Sequence, residues 1–172
     1  MVLDFEKNLS EALKEIDFID NHQEIVIHDK EEQRELFSSC GLIEKYGRAK
    51  WQVVDLVNEQ FSAVLKDKFD LYNWLNHREE DELAYFLNEA GSNCLNYAEF
   101  KVPWRMHLWL GKKGFVVGME QKGHGFNASA VDEKRLKENE GAAFEFFRNC
   151  RSQIFFDDAR EARMVLMEWL LK

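Results

Sequence analysis

The first half of the chain carries apolar residues at helical spacing. Phe5, Leu9, Leu13 and Ile16 share one face of a helix, opposite Glu and Lys residues, which is typical of an amphipathic helix. A short β-branched run then favours a strand. In order, these patterns predict a helix over 4–17, a strand over 24–28 and helices over roughly 31–46, 50–68 and 79–98. The last of these helices is the clearest, because its apolar residues recur at steps of three and four.

The period of the pattern changes to two after Pro103. Met106, Leu108 and Leu110 alternate with Arg105, His107 and Trp109, which predicts a strand. A glycine turn leads to a second strand, and a loop of about twenty residues follows; loops of that length inside compact domains are usually functional. The remaining predictions are a strand over 115–121, that loop, a helix over roughly 142–150, and strands over about 153–157 and 162–170.

This order of elements predicts an α/β fold. We expect a two-layer sandwich, with a mixed, mostly antiparallel sheet and helices on one face. No linker-like segment and no fixed repeat divides the chain, so residues 1–172 are expected to form a single domain, with a helical extension at 1–20. The apolar face of that extension leaves two roles open, since it can cover the sheet or pair two chains.

Composition and charge narrow the classes of partner that this protein can bind. The 172 residues are 45% apolar, and 32 acidic against 23 basic residues give a net charge of −9. That balance argues against binding to nucleic acid or an anionic membrane through bulk charge. Cys40, Cys94 and Cys150 form no Cys-x-x-Cys pair, and no apolar run approaches the ~20 residues of a membrane span. We therefore expect a cytoplasmic protein with no nucleic-acid or membrane partner.

One polar line stands out on the clearest helix. Glu89, Asn93 and Tyr97 follow each other at four-residue steps, beside the apolar stripe. A carboxylate and an amide oxygen can hold a magnesium ion that keeps part of its water. The carboxylate can also accept a proton from an attacking hydroxyl or water. Taken alone, such a line is more commonly a solvated helix face.

Three segments together carry a family resemblance. They are Leu87-Asn-Glu-Ala-Gly-Ser-Asn-Cys-Leu-Asn-Tyr-Ala98, Glu120-Gln-Lys-Gly-His-Gly-Phe-Asn127 and Gly141-Ala-Ala-Phe-Glu-Phe-Phe-Arg148, followed by two strands. In order and spacing, residues 24–170 resemble the GHKL (Bergerat-fold) ATPases. The closest likeness is to bacterial anti-sigma-factor serine kinases and histidine-kinase-like ATPase domains.

The resemblance implies a site for ATP and magnesium. It implies that Glu89 is the catalytic base, that Asn93 binds Mg, and that the loop 127–140 is a lid over the nucleotide. Lys134, Arg135 and Lys137 in that loop would then offset phosphate charge, although a charged surface loop explains them as well. The nucleotide-binding positions that it implies are Asn93, Tyr97, Gln121, Gly123, Gly125, Phe126, Gly141 and Ala143.

Three positions depart from the family pattern. Gln121 replaces the Asp that reads adenine, and a neutral hydrogen bond is roughly half as strong as a charge-assisted one. Glu120 cannot replace that Asp, because neighbouring strand residues point to opposite faces. Ala143 replaces a glycine, so we expect its methyl to crowd the phosphates. Arg160 replaces a small hydroxyl residue in the last hairpin.

Two functions follow from these matches and departures. The first is a bacterial regulatory ATP-binding domain, a serine/threonine-kinase-like or ATPase domain whose partner is a sigma factor or an anti-sigma antagonist. The alternative is a protein-interaction module on the same fold that no longer binds nucleotide. Members of the family often dimerise, so the resemblance also allows a homodimer.

The histidines add no chemistry at this stage. They show no metal-ligand spacing, and we expect surface or packing roles for all of them. They are His22, His28, His77, His107 and His124.

Overall fold

The computed structural model describes residues 3–26, 48, 52–53, 55–56, 59, 83, 86–87, 89–91, 93, 100–138 and 142–171. Its helices are α1 (Leu9–Glu15), α2 (Ala128–Glu138) and α3 (Ala142–Asn149). Its strands are β1 (Phe18–Val26), β2 (Phe100–Gly111), β3 (Gly114–Lys122), β4 (Gln153–Phe156) and β5 (Met164–Leu170). The described residues between 48 and 93 are helical, which confirms the predicted helices over 50–68 and 79–98 where they can be seen. The helix predicted over 31–46 lies outside the described residues.

The described strands form one five-stranded sheet in the order β1-β2-β3-β5-β4. Every pair of neighbouring strands is antiparallel. The β2–β3 hairpin places Leu110 opposite Phe115 and Arg105 opposite Glu120. Because side chains alternate along a strand, this register gives the sheet two faces of different composition. With the helices that cover one of these faces, the chain is an α/β protein consistent with the predicted two-layer fold, and the short helix α1 packs on the other face.

The first face of the sheet holds the larger core. Met106, Leu108, Phe115 and Val117 are fully buried there. Helical residues cover them: Leu83, Phe86 and Leu87 from the long predicted helix, and Phe144 and Phe147 from α3. Burying each large apolar side chain contributes roughly 1.5–3 kcal/mol. This face therefore supplies most of the apolar stabilisation that the described residues show.

The second face is covered by α1. Ala12 of this helix and Ile16, which directly follows it, are fully buried against Val116, Phe155 and Leu166. The helix has seven residues and begins with a capping box between Asn8 and Glu11. A helix this short is unstable alone and depends on such packing. Of the two roles that the sequence left open for it, the structure shows the helix covering the sheet.

The N-terminal residues also close one side of the sheet. Leu3 forms a parallel bridge with Ile154 of β4, and the Asp4 N–H donates to the Ile154 carbonyl at 2.8 Å. Paired backbone groups at an edge cannot recruit another chain. The predicted extension is therefore attached to the sheet in two ways: Leu3 and Asp4 pair with β4, and α1 packs on the second face.

Several boundaries differ from the sequence prediction. The helix predicted over 4–17 is shorter, because α1 spans Leu9–Glu15, and the strand predicted after Pro103 begins before it, at Phe100. The strand predicted over 24–28 begins earlier, at Phe18, after Asp17 adopts a positive φ of 54°; residues 27 and 28 lie outside the described part. The predicted loop after β3 is wrong for 128–138, which form α2. Asn127 precedes that helix, and its side-chain oxygen accepts from the Ala130 N–H at 2.9 Å, which satisfies an otherwise unpaired donor. No helix in the described part of the chain has the length and apolar character to cross a membrane.

Candidate functional site

The three segments of the family resemblance meet in one aromatic core. Phe126, from the glycine turn, packs edge-on against Phe156 with ring centres 6.0 Å apart. Phe156 stacks on Phe144 of α3 at 6.2 Å, and Phe144 contacts Phe147 at 5.6 Å. Phe147 in turn lies 6.0 Å from Phe86, on the helix that carries Glu89 and Asn93. The second and third segments are thus anchored through their own rings, and the first through Phe86, the residue before it; such pairs contribute about 0.5–1.5 kcal/mol beyond their burial.

The glycine turn is fixed by the final hairpin. Gly123 has a φ of 108°, a conformation that side chains disfavour. A Cβ on Gly125 would lie 2.3 Å from the Glu161 carbonyl oxygen. Phe126 and Ala162 exchange two backbone hydrogen bonds of 2.8 and 3.0 Å. Glycine is therefore required at position 125 by the nearby Glu161 backbone, whether or not a ligand also approaches there.

Gln121 has an internal partner. Its side-chain amide donates to the His124 carbonyl at 3.3 Å, across the turn that it precedes. Its neighbour Glu120 turns to the second face, where its carboxylate lies 2.7 Å from His107. The prediction that Glu120 points away from the Gln121 side is confirmed.

Glu89 and Asn93 are helical and half-buried. Ala90 and Gly91, which lie between them in the sequence, are buried, so this helix contacts the core in the same turn that carries the two polar side chains. Tyr97 and Gly141 lie outside the described residues.

Ala143 and the predicted lid segment both lie in helices. The Ala143 methyl is buried in the first-face core, 7% exposed, and its crowding of phosphates stays a prediction. The lid segment is the helix α2, which an ion pair between Asp132 and Arg148 ties to α3. Lys134 pairs with Glu138, one turn further along, at 3.8 Å. Arg160 is exposed in the last hairpin, where its N–H donates to the Asp158 carboxylate at 2.8 Å.

The second face of the sheet carries a polar cluster that the sequence pattern did not predict. The His107 Nε2 lies 2.7 Å from Glu120 Oε2, and the His107 Nδ1 lies 3.0 Å from the His22 Nε2. His107 is 6% exposed, whereas His22 lies at the surface, stacked on Trp109 with ring centres 4.6 Å apart. Arg105 lies between Glu24 and Glu120, with nitrogens 3.2 and 3.8 Å from their oxygens. We call these side chains (His22, Glu24, Arg105, His107 and Glu120) the histidine cluster.

The signal for this cluster was in the sequence. Arg105, His107 and Trp109 alternate with apolar residues, so they share a face. Glu120 joins them once the hairpin register is fixed by the turn between Gly111 and Gly114. Burial and the neighbouring His107 lower the pKa of His22, although the charge of Glu24 opposes the shift.

A second ionic group lies under α1. The Lys7 ammonium donates to Glu168, to Gln153 at 2.7 Å and to Glu15 at 2.9 Å. The Lys7 and Glu168 side chains are 5% and 1% exposed. Burial raises the pKa of the Glu168 carboxyl. Burial also acts to lower the pKa of Lys7, but the bonds to Glu168 and Glu15 outweigh it, so that pKa is raised. We call these four residues the lysine cluster.

Neither cluster is a metal site, since no group of three or more His, Cys, Asp or Glu in the described ranges is placed to hold a metal ion. Comparison with known proteins found no matching family model, curated protein or solved structure. What the structure defines is the class: an α/β protein whose antiparallel sheet carries helices on both faces.

Proposed function

We propose that this chain is a regulatory domain that binds ATP and magnesium, in the manner of the GHKL anti-sigma-factor kinases that it resembles. One observation carries the proposal: the aromatic contacts from Phe126 through Phe144 and Phe147 to Phe86 gather all three motif segments around one core. Segments far apart in sequence are expected to meet in this way if they build one nucleotide site.

Three residues of the proposed site have separate roles in binding magnesium, accepting a proton and binding adenine. The Asn93 amide oxygen suits a magnesium ion, which prefers oxygen ligands and offsets phosphate charge. Glu89, half-buried one turn earlier, accepts the proton of the attacking hydroxyl or water. Gln121 offers its side-chain carbonyl to an adenine amine, because its amide is already bonded to His124.

Calorimetric titration with ATP and ADP, with and without magnesium, tests binding. We expect a dissociation constant near 1 μM, about −8 kcal/mol. Asn93→Ala should weaken binding at least tenfold and remove its dependence on magnesium. The matched control is Asn149→Ala, at an exposed position at the end of α3, which should bind as the parent protein does. Absence of heat up to millimolar nucleotide would overturn the proposal.

Phosphate turnover tests the role of Glu89. Glu89→Ala should reduce turnover by about 10²-fold or more, since positioned proton transfer contributes that much. Its affinity for ATP and its unfolding midpoint should stay close to those of the parent. Glu6→Ala, at an exposed glutamate before α1, is the control. Unchanged turnover in Glu89→Ala would refute the role.

The alternative is an interaction module without nucleotide. One observation favours it: the Asp132–Arg148 ion pair ties the predicted lid segment to α3. If the adenine contact alone has been lost, Gln121→Asp should create ATP binding that the parent lacks. If neither protein binds ATP, the interaction module becomes the better description.

A further inference from the structure

The histidine cluster contains a directional chain of hydrogen bonds. An ionised carboxylate only accepts, so the proton between Glu120 and His107 belongs to the His107 Nε2. A neutral imidazole then has its Nδ1 free to accept, and the donor at 3.0 Å is the His22 Nε2–H. Assignment of both tautomers follows from the carboxylate. The lone pair at the end of the chain lies on the Nδ1 of His22, on the exposed ring.

The surrounding charges favour one added proton. With both rings neutral, the histidine cluster itself holds two carboxylates, those of Glu24 and Glu120, and one guanidinium, that of Arg105, so the charge of these five side chains is −1. Lys122, next on this face of β3, lies at the exposed end of the strand and has an interaction of its own. One proton on the imidazole pair neutralises the excess. A second proton makes both facing nitrogens donors, so it breaks the bond between the rings.

We propose that Glu120, His107 and His22 form a proton-binding site that takes up one proton, shared between the two imidazoles, and makes the attachment of β1 depend on pH. The site joins three strands: His22 belongs to β1, His107 to β2 and Glu120 to β3. β1 is the outermost strand of the described sheet on this side. Its His22 ring bonds edge to edge with His107 and stacks on Trp109, so these contacts form a side-chain tie between β1 and β2.

The resistance of His22 to protonation is consistent with this site. Burial and the neighbouring His107 lower its pKa, and a proton already held by the ring pair disfavours a second one. Between the two protonation steps the pair is a single cation between two carboxylates, and the strand stays attached. Below the second step the tie is lost.

Imidazole nitrogen NMR at pH 8 tests the tautomers directly. Both His22 and His107 should carry their proton on Nε2. A His107 proton on Nδ1 would contradict the proposed order of hydrogen bonds from His22 to Glu120. Packing of the two rings alone would not specify which nitrogen carries the proton.

A pH titration of the same signals tests the proton count. His22 and His107 should respond together to a first proton, and a separate second step should follow at lower pH. In Glu120→Gln, loss of the flanking charge should lower the first midpoint by about one pH unit, a tenfold weaker affinity for the proton. Glu145→Gln removes the same charge from an exposed position on α3 and should leave the midpoint unchanged. Independent one-step titrations, or equal midpoints in Glu120→Gln and the parent, would overturn the proposal.

Amide hydrogen exchange tests the effect on β1. After correction for intrinsic rates, β1 amides should lose protection below the second step in the parent, while β3 amides keep theirs. In His22→Gln the β1 protection should no longer follow that step. A β1 protection that is independent of pH in the parent would show that the rings bind protons without controlling the strand.

Discussion

The second face of the sheet has two polar regions whose charged side chains differ in their exposure to solvent. Under α1, the Lys7–Glu168 ion pair is almost completely dry, with side chains 5% and 1% exposed. In the histidine cluster, the Arg105 and Glu120 side chains keep about a third of their surface, at 36% and 30%. Both regions border the same apolar patch, which includes Trp109 and Val116. The difference lies in the cover that α1 provides over one of them.

This difference decides what each region can do. A buried ion pair is costly to break, because either partner left alone is an unpaired charge away from water. The lysine cluster is therefore suited to fix the position of α1 on the sheet. A half-exposed cluster exchanges protons with solvent at little cost, so it is suited to respond to conditions.

Lys7→Met should have the largest effect on stability. It leaves the Glu168 carboxylate buried, with an oxygen, Oε1, that already has no hydrogen-bond partner in the described part of the structure. We expect a loss of about 3–5 kcal/mol in the free energy of unfolding, measured by denaturant titration at pH 7. The loss should be smaller near pH 5, because burial raises the pKa of Glu168 and its protonated form tolerates the apolar site.

Two variants separate the ion pair from other effects. The double variant Lys7→Met/Glu168→Leu should recover most of the loss, since an apolar pair can replace a buried ionic one. Lys14→Met, at an exposed position on α1, should change stability by less than about 0.5 kcal/mol. If the double variant is as unstable as Lys7→Met, the unpaired carboxylate is not the cause.

Ile16→Ala should have the next largest effect. Ile16 is fully buried between α1 and the sheet, so its truncation should cost about 2–4 kcal/mol by leaving a cavity. The pH midpoints of the histidine NMR signals should be unchanged, because Ile16 is uncharged and belongs to the apolar patch, not to the histidine cluster. A shift of those midpoints in this variant would show that α1 also controls proton binding by the histidine cluster.

The main features of the fold were predictable because their patterns are local. The alternation of Met106, Leu108 and Leu110 fixed a strand, and the turn before Gly114 fixed a hairpin, so both were confirmed. Helix α2 was missed because its apolar side is weak: Ala128 and Asp132 are its buried residues, and Asp132 is held by an ion pair with Arg148, sixteen positions away. A pattern within one segment does not contain that information.

The sites were less predictable than the fold. Glu120 was correctly assigned to the opposite face from Gln121, because alternation alone decides it. The histidine cluster was missed because His22 and His107 are 85 positions apart, and their contact depends on the pairing of β1 with β2. Lys7 and Glu168, 161 positions apart, meet for the same kind of reason.

Gly118→Ala tests the border between the two regions. A Cβ there would lie 2.7 Å from the Met164 sulfur and 3.3 Å from Trp109 Cζ3. The end of the flexible Met164 side chain can move, whereas the Trp109 ring is held by His22 and by the buried patch. We expect a loss of about 1–2 kcal/mol from this overpacking, together with a changed His22 signal. Gly118→Ala/Met164→Ala should regain part of the stability, and failure to do so would place the clash at Trp109.

The pH dependence of stability should show the smallest effect, and its sign follows from His22. The unfolded chain protonates this ring near its ordinary pKa of 6.5, whereas burial and His107 lower the pKa in the folded protein. Between those values the unfolded state holds more protons, so stability falls as the pH falls from about 7 towards 5. His22→Gln should remove that part of the decline, about 0.5 kcal/mol or less because the ring is exposed. Denaturant titrations of both proteins at several pH values measure the difference. If the parent protein instead gained stability over His22→Gln in acid, the folded state would bind the second proton more tightly than the unfolded chain does. Both protonation steps would then stabilise the fold, unlike any change of charge in the buried lysine cluster.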